Sequence, residues 1–220
     1  DNTADLLRTR LSYTIDEARV RVPGHILYHD NAMVEAKTKD NAIERALKDA
    51  IKDPASGRLS VVFQPQISLK DGEVIGFETL ARLTDPMIGP VSPLDFIRVA
   101  EERGMIRDLD RLVLLEAIRF HHAMRNASLT TRPLSLNVSM AELIQYGFAE
   151  EFQKVLSAHG IGGGSVVLEL SEKRFLDPRS DVTDILVRLR ATGVKIAVDD
   201  FGTGYQSLEA LSGIGIDFVK

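Results

Sequence analysis

Four short apolar runs constrain the fold most: PLSLNVS at 133–139, SVVLELSE at 165–172, VKIAVDD at 194–200 and IDFVK at 216–220. They read as short runs dominated by apolar residues rather than as long alternating strands. A strand with one wet face would alternate, so these runs read as strands buried on both faces, the pattern of a parallel sheet covered by helices. Helical spacing fills the gaps. Ser92 and Pro93 open one helix, which Gly104 closes. A second covers 108–124, further helical segments cover 141–147 and 149–160, and DVTDILVRLRATG at 181–193 closes on Gly193. A short helix is expected at 207–213. The first pair of strands differs. LSVVFQPQISL at 59–69 and EVIGFETLARL at 73–83 are joined by Lys70-Asp71-Gly72-Glu73, and Asp-Gly is the turn chemistry of a tight hairpin. The expected order is therefore an antiparallel pair followed by repeated β–α units. A doubly wound sheet and a (β/α) barrel both satisfy it.

Residues 1–39 read as the tail of a preceding domain, with helical spacing at Leu7, Leu11 and Ile15 and a strand-like HILYH at 25–29. Residues 40–58 read as a linker helix capped by Asp40, with Ile43, Leu47, Ala50 and Ile51 on one stripe. Residues 59–220 form the main domain. The first residue is Asp, and the last run is a bare strand. The reading is a cytoplasmic segment of a longer protein, with a membrane anchor elsewhere in the parent left open. No apolar run reaches the roughly 18 residues of a membrane helix, and no signal-peptide core is present.

Composition removes several functions. With no Cys, disulfides, thiol catalysis and thiolate metal sites are excluded. A net charge of −5 disfavours a nucleic-acid polymer as partner. The absence of Trp and the 6% aromatic content argue against a base-stacking platform.

The strand ends carry the chemistry. VIGF is followed by Glu78, with Arg82 beyond it; LSL by Asn137; VVL by Glu169, with Glu172 beyond; VKIAV by Asp199 and Asp200; IDFV by Lys220. In a barrel of parallel strands these ends meet on one face, where active sites sit. Polar loop residues and helix caps would account for any one of them, but poorly for the set. Clustered acids need raised pKa values or a cation. Oxygen donors without Cys, and with no His at a matching strand end, favour Mg²⁺ or Mn²⁺ over Zn²⁺. The adjacent Asp199-Asp200 pair suggests two ions, the usual arrangement for phosphodiester hydrolysis. Gly202-Thr203-Gly204 after the acidic pair reads as an active-site loop. His121-His122 reads as ordinary helix, because adjacent residues do not share a helix face.

DDFGTGY at 199–205, with FQP, FETLAR, NVS, LELSE and FVK in order, resembles the EAL domain of bacterial signalling proteins over residues 59–220. The preamble resembles the end of a GGDEF domain. The resemblance implies a modified TIM-type barrel with an antiparallel first strand, and hydrolysis of cyclic di-GMP to linear pGpG with two Mg²⁺ or Mn²⁺ ions. It implies that Glu78, Asn137, Glu169 and Asp199 hold one ion and Asp200 the second. It further implies that Lys220 orients the attacking water, Glu172 fixes the loop starting at Asp200, and Gln64 and Arg82 contact the substrate. That loop serves dimerisation in the family, so a homodimer is implied, as is an upstream regulatory or GGDEF domain. The chain departs from the family in reading Glu78-Thr79-Leu80 for Glu-Ala-Leu and Gln206 where Ser is usual. It also stops before the last strands, so the barrel is expected to be incomplete and this piece inactive alone. The competing reading is a degenerate EAL domain that binds cyclic di-GMP without cutting it. A purely structural dimerisation module is the third, and the intact acidic set argues against it.

Overall fold

The computed structural model describes residues 31–129, 131–171, 182–199, 201 and 215–220, with positions 4, 8, 11, 12, 14 and 15. Glu172, Asp200, the loop at 202–205 and the elements expected at 25–29 and 207–213 lie outside the described residues.

The hairpin forms as the Asp-Gly turn requires. Strand β1 (Leu59–Ile67) runs antiparallel to β2 (Val74–Asp85), with Gly72 at φ +75° in the turn. The register slips between Gln66 and Ile67, which leaves Ile75 as an extra residue on β2. Gly76 follows that bulge. A Cβ there would lie 2.7 Å from Gln66 Oε1 and 3.2 Å from the Pro133 carbonyl oxygen, so a larger residue would have to turn the Gln66 side chain away and press on the Pro133 backbone.

Strand β3 (Gly89–Val91) folds back antiparallel on β2, an element absent from the sequence reading. Helices α1 (Asn31–Lys52), α2 (Pro93–Glu102) and α3 (Ile106–Asn126) come next in space. Then β4 (Leu134–Asn137), α4 (Met140–Leu143), α5 (Phe148–Ala158), β5 (Val166–Ser171), α6 (Val182–Ala191), β6 (Lys195–Asp199) and β7 (Phe218–Val219) follow in chain order. The seven strands make one sheet in the order β1-β2-β4-β5-β6-β7, with β3 on the side of β2. From β2 to β7 every pairing along this path is parallel. Among the described residues β1 and β7 are the edges and do not pair with each other. This is the strand order of a (β/α) barrel with an antiparallel first strand, open along one seam.

The helices cover one face of the sheet. Leu134, Leu136, Leu168, Leu170 and Ile196 point to that side and pack with Ile118, Phe152, Leu156, Leu186 and Leu189. Phe120 of α3 stacks on Phe63 of β1 at 3.8 Å between ring centroids. A second cluster joins Ile43, Ala46, Leu47 and Ala50 of α1 to Leu83, Phe96, Val99 and Leu109. The stripe read from the sequence is thus the buried face of α1. The helix starts earlier than expected, at Asn31, so Asp40 is not its cap. No Gly or Pro interrupts 31–52, and Asp40 instead takes hydrogen bonds from Arg98 at 2.5 Å and 3.1 Å.

The end of β2 is fixed by a buried acid. Asp85, 2% exposed, accepts the Met87 and Ile88 N–H groups at 2.9 Å and 3.3 Å and pairs with Arg58 at 2.6 Å. The Met87 N–H leads in holding its carboxyl below the ordinary range; burial opposes, and Ile88, Arg58 and Arg45 assist. Asp85→Ala is expected to cost about 2–3 kcal/mol at neutral pH, from the lost buried hydrogen bonds and ion pair. Because the folded pKa is depressed, that stabilisation is present above the unfolded value near 4 and fades as pH falls through the lower folded value. Urea unfolding at pH 7 and pH 3 tests this: the gap between the two proteins should narrow in acid.

Candidate active site

Register places the candidate residues on one face. Side chains paired across adjacent strands point the same way, and positions two apart along a strand do too. Gln64 pairs with Glu78, Glu78 with Ser135, and Asn137 with Glu169. Glu169 pairs with Ala197, Ser171 with Asp199, and Ala197 with Phe218. Gln64, Glu78, Arg82, Asn137, Glu169, Asp199 and Lys220 therefore share the face opposite the helices, at or near the carboxyl ends of the parallel strands. Thr79 points the other way, is 2% exposed and has no partner for its hydroxyl among the described residues. Thr79→Ala should leave any chemistry at Glu78 within about twofold of wild type, since it removes only an unbonded outer-layer hydroxyl. Initial-rate comparison checks it, and a tenfold loss would contradict the assignment of faces.

Three of the side chains meet directly. Lys220 Nζ donates to Glu78 Oε2 at 2.8 Å and to Glu169 Oε1 and Oε2 at 2.7 Å and 2.8 Å. The Glu169 side chain is fully buried, whereas those of Lys220 and Glu78 keep about a quarter of their exposure. Burial pushes the Glu169 carboxyl above its ordinary value; hydrogen bonds from Lys220 and Ser135 pull it down, and Glu78 adds to the rise. Burial acts on Lys220 in the lowering direction. Its bonds to Glu169 and Glu78 outweigh that, so the ammonium is held more firmly than usual. Ser135 was not foreseen as a participant, though its place two residues before Asn137 puts it on the same face.

The remaining candidates are aligned but not in mutual contact of this kind. Asn137 and Gln64 are exposed, Asp199 is half-buried, and Arg82 Nη1 donates to the Ala81 carbonyl at 2.9 Å. Among the described residues no group of three or more acidic or imidazole side chains is close enough to hold one ion. The four-ligand convergence expected of Glu78, Asn137, Glu169 and Asp199 is therefore not a ready-made cage, and an ammonium lies between two of its members. The donor chemistry still fits a hard divalent cation, being carboxylate and amide oxygen on one sheet face with a buried acid that requires positive charge. His121 belongs elsewhere: it is 4% exposed in the helix layer, with both ring nitrogens lacking a hydrogen-bond partner among the described residues and its pKa lowered by burial first and then by His122 and Arg125.

Comparison with known proteins identifies the family and the fold. The EAL domain family model matches residues 44–220, and the chain belongs to that family. It is 33% identical over 220 residues to cyclic di-GMP phosphodiesterase PA2567 of Pseudomonas aeruginosa, covering all of this chain and 37% of that protein. It is 33% identical over 189 residues to the oxygen sensor protein DosP of Escherichia coli, covering 86% of this chain and 23% of that one. The chain thus spans only part of the length of these relatives. Among solved structures, the PaMucR phosphodiesterase in complex with c-di-GMP superposes with a TM-score of 0.71 at 28% identity, covering 79% of this chain and 70% of that one. Such EAL structures are TIM-like (β/α) barrels, and the sheet described above is that barrel in open form. Among the described residues no helix is long and apolar enough to cross a membrane.

Proposed function

We propose that the protein carrying this chain hydrolyses cyclic di-GMP to linear pGpG. The observation that carries this reading is the fully buried Glu169, bonded with Glu78 to Lys220 on the sheet face that also bears Asn137 and Asp199. In this reading Glu78, Asn137, Glu169 and Asp199 hold one Mg²⁺ or Mn²⁺ ion, and Asp200 serves a second. Such ions, when bound, supply water activation and neutralise charge on the phosphoryl oxygens. The residues do the rest. Lys220 holds the attacking water in line with the phosphorus through its ammonium protons. Arg82 steadies a non-bridging phosphate oxygen, and Gln64 hydrogen-bonds a guanine edge. Glu172 keeps the loop at Asp200 in place. Water adds to phosphorus, the P–O3′ bond breaks, and the 3′ oxygen leaves as a hydroxyl, giving a linear dinucleotide with a 5′ phosphate. An upstream regulatory domain and a second copy of the chain complete the proposed assembly.

The receptor reading, binding without cleavage, belongs to domains that have lost ligands. Every ligand position within the described residues keeps its donor, which favours the enzyme. The test is release of linear pGpG by the full-length protein that carries this chain, with Mg²⁺ or Mn²⁺, alongside direct binding of cyclic di-GMP. Tight binding without release would sink the phosphodiesterase reading and leave the receptor.

A further inference from the structure

Helices α3 and α4 meet across a pair of acids. Asp110 lies in the first turns of α3 and Glu142 lies in α4. Ser139 caps α4 by accepting the Glu142 N–H on its hydroxyl at 3.2 Å. Asp110 reaches the same turn: Glu142 and Ser139 are the groups that act on its buried carboxyl. Its Oδ2 is sealed from solvent, and among the described residues no N–H or hydroxyl donates to it. Two ionised carboxylates would repel strongly in such surroundings. The contact is a hydrogen bond only when a proton sits between the two groups. The other charges facing the pair are Arg107, which favours an ionised Glu142, and Glu151, which disfavours it.

We propose that Asp110 is a positioning residue for the candidate site: it shares one proton with Glu142, and this acid pair, with Ser139, clamps the turn that directly follows Asn137. The turn is held from the other side by the Val138 N–H, which donates to the Glu169 carbonyl at 3.1 Å. Asn137 thus leaves β4 between two fixed points, one on β5 and one on α3. Its importance for chemistry rests on the function proposed above; the clamp itself does not. Burial pushes the Asp110 carboxyl up to about 9, the Glu142 contact adds to the rise, and Ser139 opposes it. Glu142 is raised as well, mainly by burial. Below that value the folded protein keeps a proton that the unfolded chain releases near pH 4. Stability from this pair therefore declines as pH rises through that window and levels off above about 9.

The test compares the full chain with Asp110→Asn and Asp110→Ala. The asparagine amide supplies a donor to Glu142 at every pH, and alanine supplies none. Amide-exchange protection across 138–143 should fall about tenfold in Asp110→Ala and in wild type above pH 9, and stay near its neutral value in Asp110→Asn. The decline in unfolding midpoint between pH 5 and 8 should be shallower in Asp110→Asn than in wild type. Mn²⁺ affinity by calorimetry should weaken about 10–100-fold in Asp110→Ala, the usual cost of losing an outer support, with Asp110→Asn restoring most of it. Should Asp110→Ala fail to fold, the pH profiles of wild type and Asp110→Asn still decide. Identical profiles for those two, or unaltered protection in Asp110→Ala, would overturn the clamp. Wild type that binds no Mn²⁺ while showing the expected exchange pattern would instead count against the metal reading and spare the clamp.

Discussion

Glu78→Ala and Asp199→Ala, each made in the full-length protein that carries this chain, are expected to abolish the proposed hydrolysis of cyclic di-GMP. Each removes a charged oxygen from the face on which the proposed reading seats the phosphate. Loss of one electrostatic contributor in a preorganised site commonly lowers kcat about 10²–10³-fold, and loss of the metal as well should cost more. Glu78 has a second connection, its 2.8 Å contact with Lys220, so its removal also frees the ammonium expected to hold the water. Ca²⁺ in place of Mg²⁺ should bind but turn over poorly, because it takes longer bonds and looser coordination. The measurement is initial-rate release of pGpG at saturating Mg²⁺ or Mn²⁺, with folding checked by circular dichroism. Rates within tenfold of wild type in both variants would remove these carboxylates from the reaction.

The largest expected effect on stability comes from Lys220→Met. Glu169 is fully buried and its partner ammonium lies 2.7 Å away. Removing one member of a buried pair typically costs about 3–5 kcal/mol; Lys220 keeps some solvent contact, so about 3 kcal/mol is expected at pH 8. The sign of the pH effect follows from Glu169. Its carboxyl is already raised by burial, with Lys220 and Ser135 holding it down and Glu78 pushing it up. Without Lys220 it rises further, so the folded variant binds a proton that the unfolded chain releases near pH 4. The variant's deficit should then grow from pH 5 to pH 8 and shrink in acid, where a neutral Glu169 needs no partner. Chemical denaturation at the two pH values measures it. A deficit below about 1 kcal/mol that does not change with pH would mean that the pair adds little to the fold.

What was legible in the sequence follows the range of the interactions. The Asp71-Gly72 hairpin and the parallel order of the later strands came from local turn chemistry and short runs dominated by apolar residues. The placement of Glu78, Asn137, Glu169, Asp199 and Lys220 at strand ends came from the same source, because period-two geometry and parallel pairing bring such ends together. The contacts themselves were not legible. Lys220 meets Glu78 across 142 residues and Glu169 across 51, and nothing local selects those partners. The Asp110 and Glu142 carboxyls lie on different helices, each unremarkable in its own periodicity. Asp40 was expected to cap a helix because its residue type suits a cap, but tertiary pairing with Arg98 and an unbroken helical stretch decided otherwise. The short β3 escaped because Gly89-Pro90-Val91 has no strand signal apart from the turn that returns it to β2.

The extra residue at Ile75 settles a question of parity. Between Gln64 and Glu78 the hairpin contains an odd position that a regular ladder has no place for. By absorbing it before Gly76, the bulge lets Gln64 and Glu78 face each other across β1 and β2. Moved by one step, Gln64 would lie opposite Phe77, whose side chain belongs to the helix layer. The two edges of the hairpin would then answer to different compartments, one wet and one packed. A single-residue insertion between Gly76 and Glu78 would act as a frameshift in space: every downstream side chain of β2 would exchange inside for outside while its amino-acid identity stayed the same. An insertion in the turn at 68–73, ahead of the bulge, would be absorbed as a longer loop. Tolerance to length change in this hairpin is therefore expected to end abruptly at Gly76, which makes the bulge a boundary between a segment free to vary and one bound to its count.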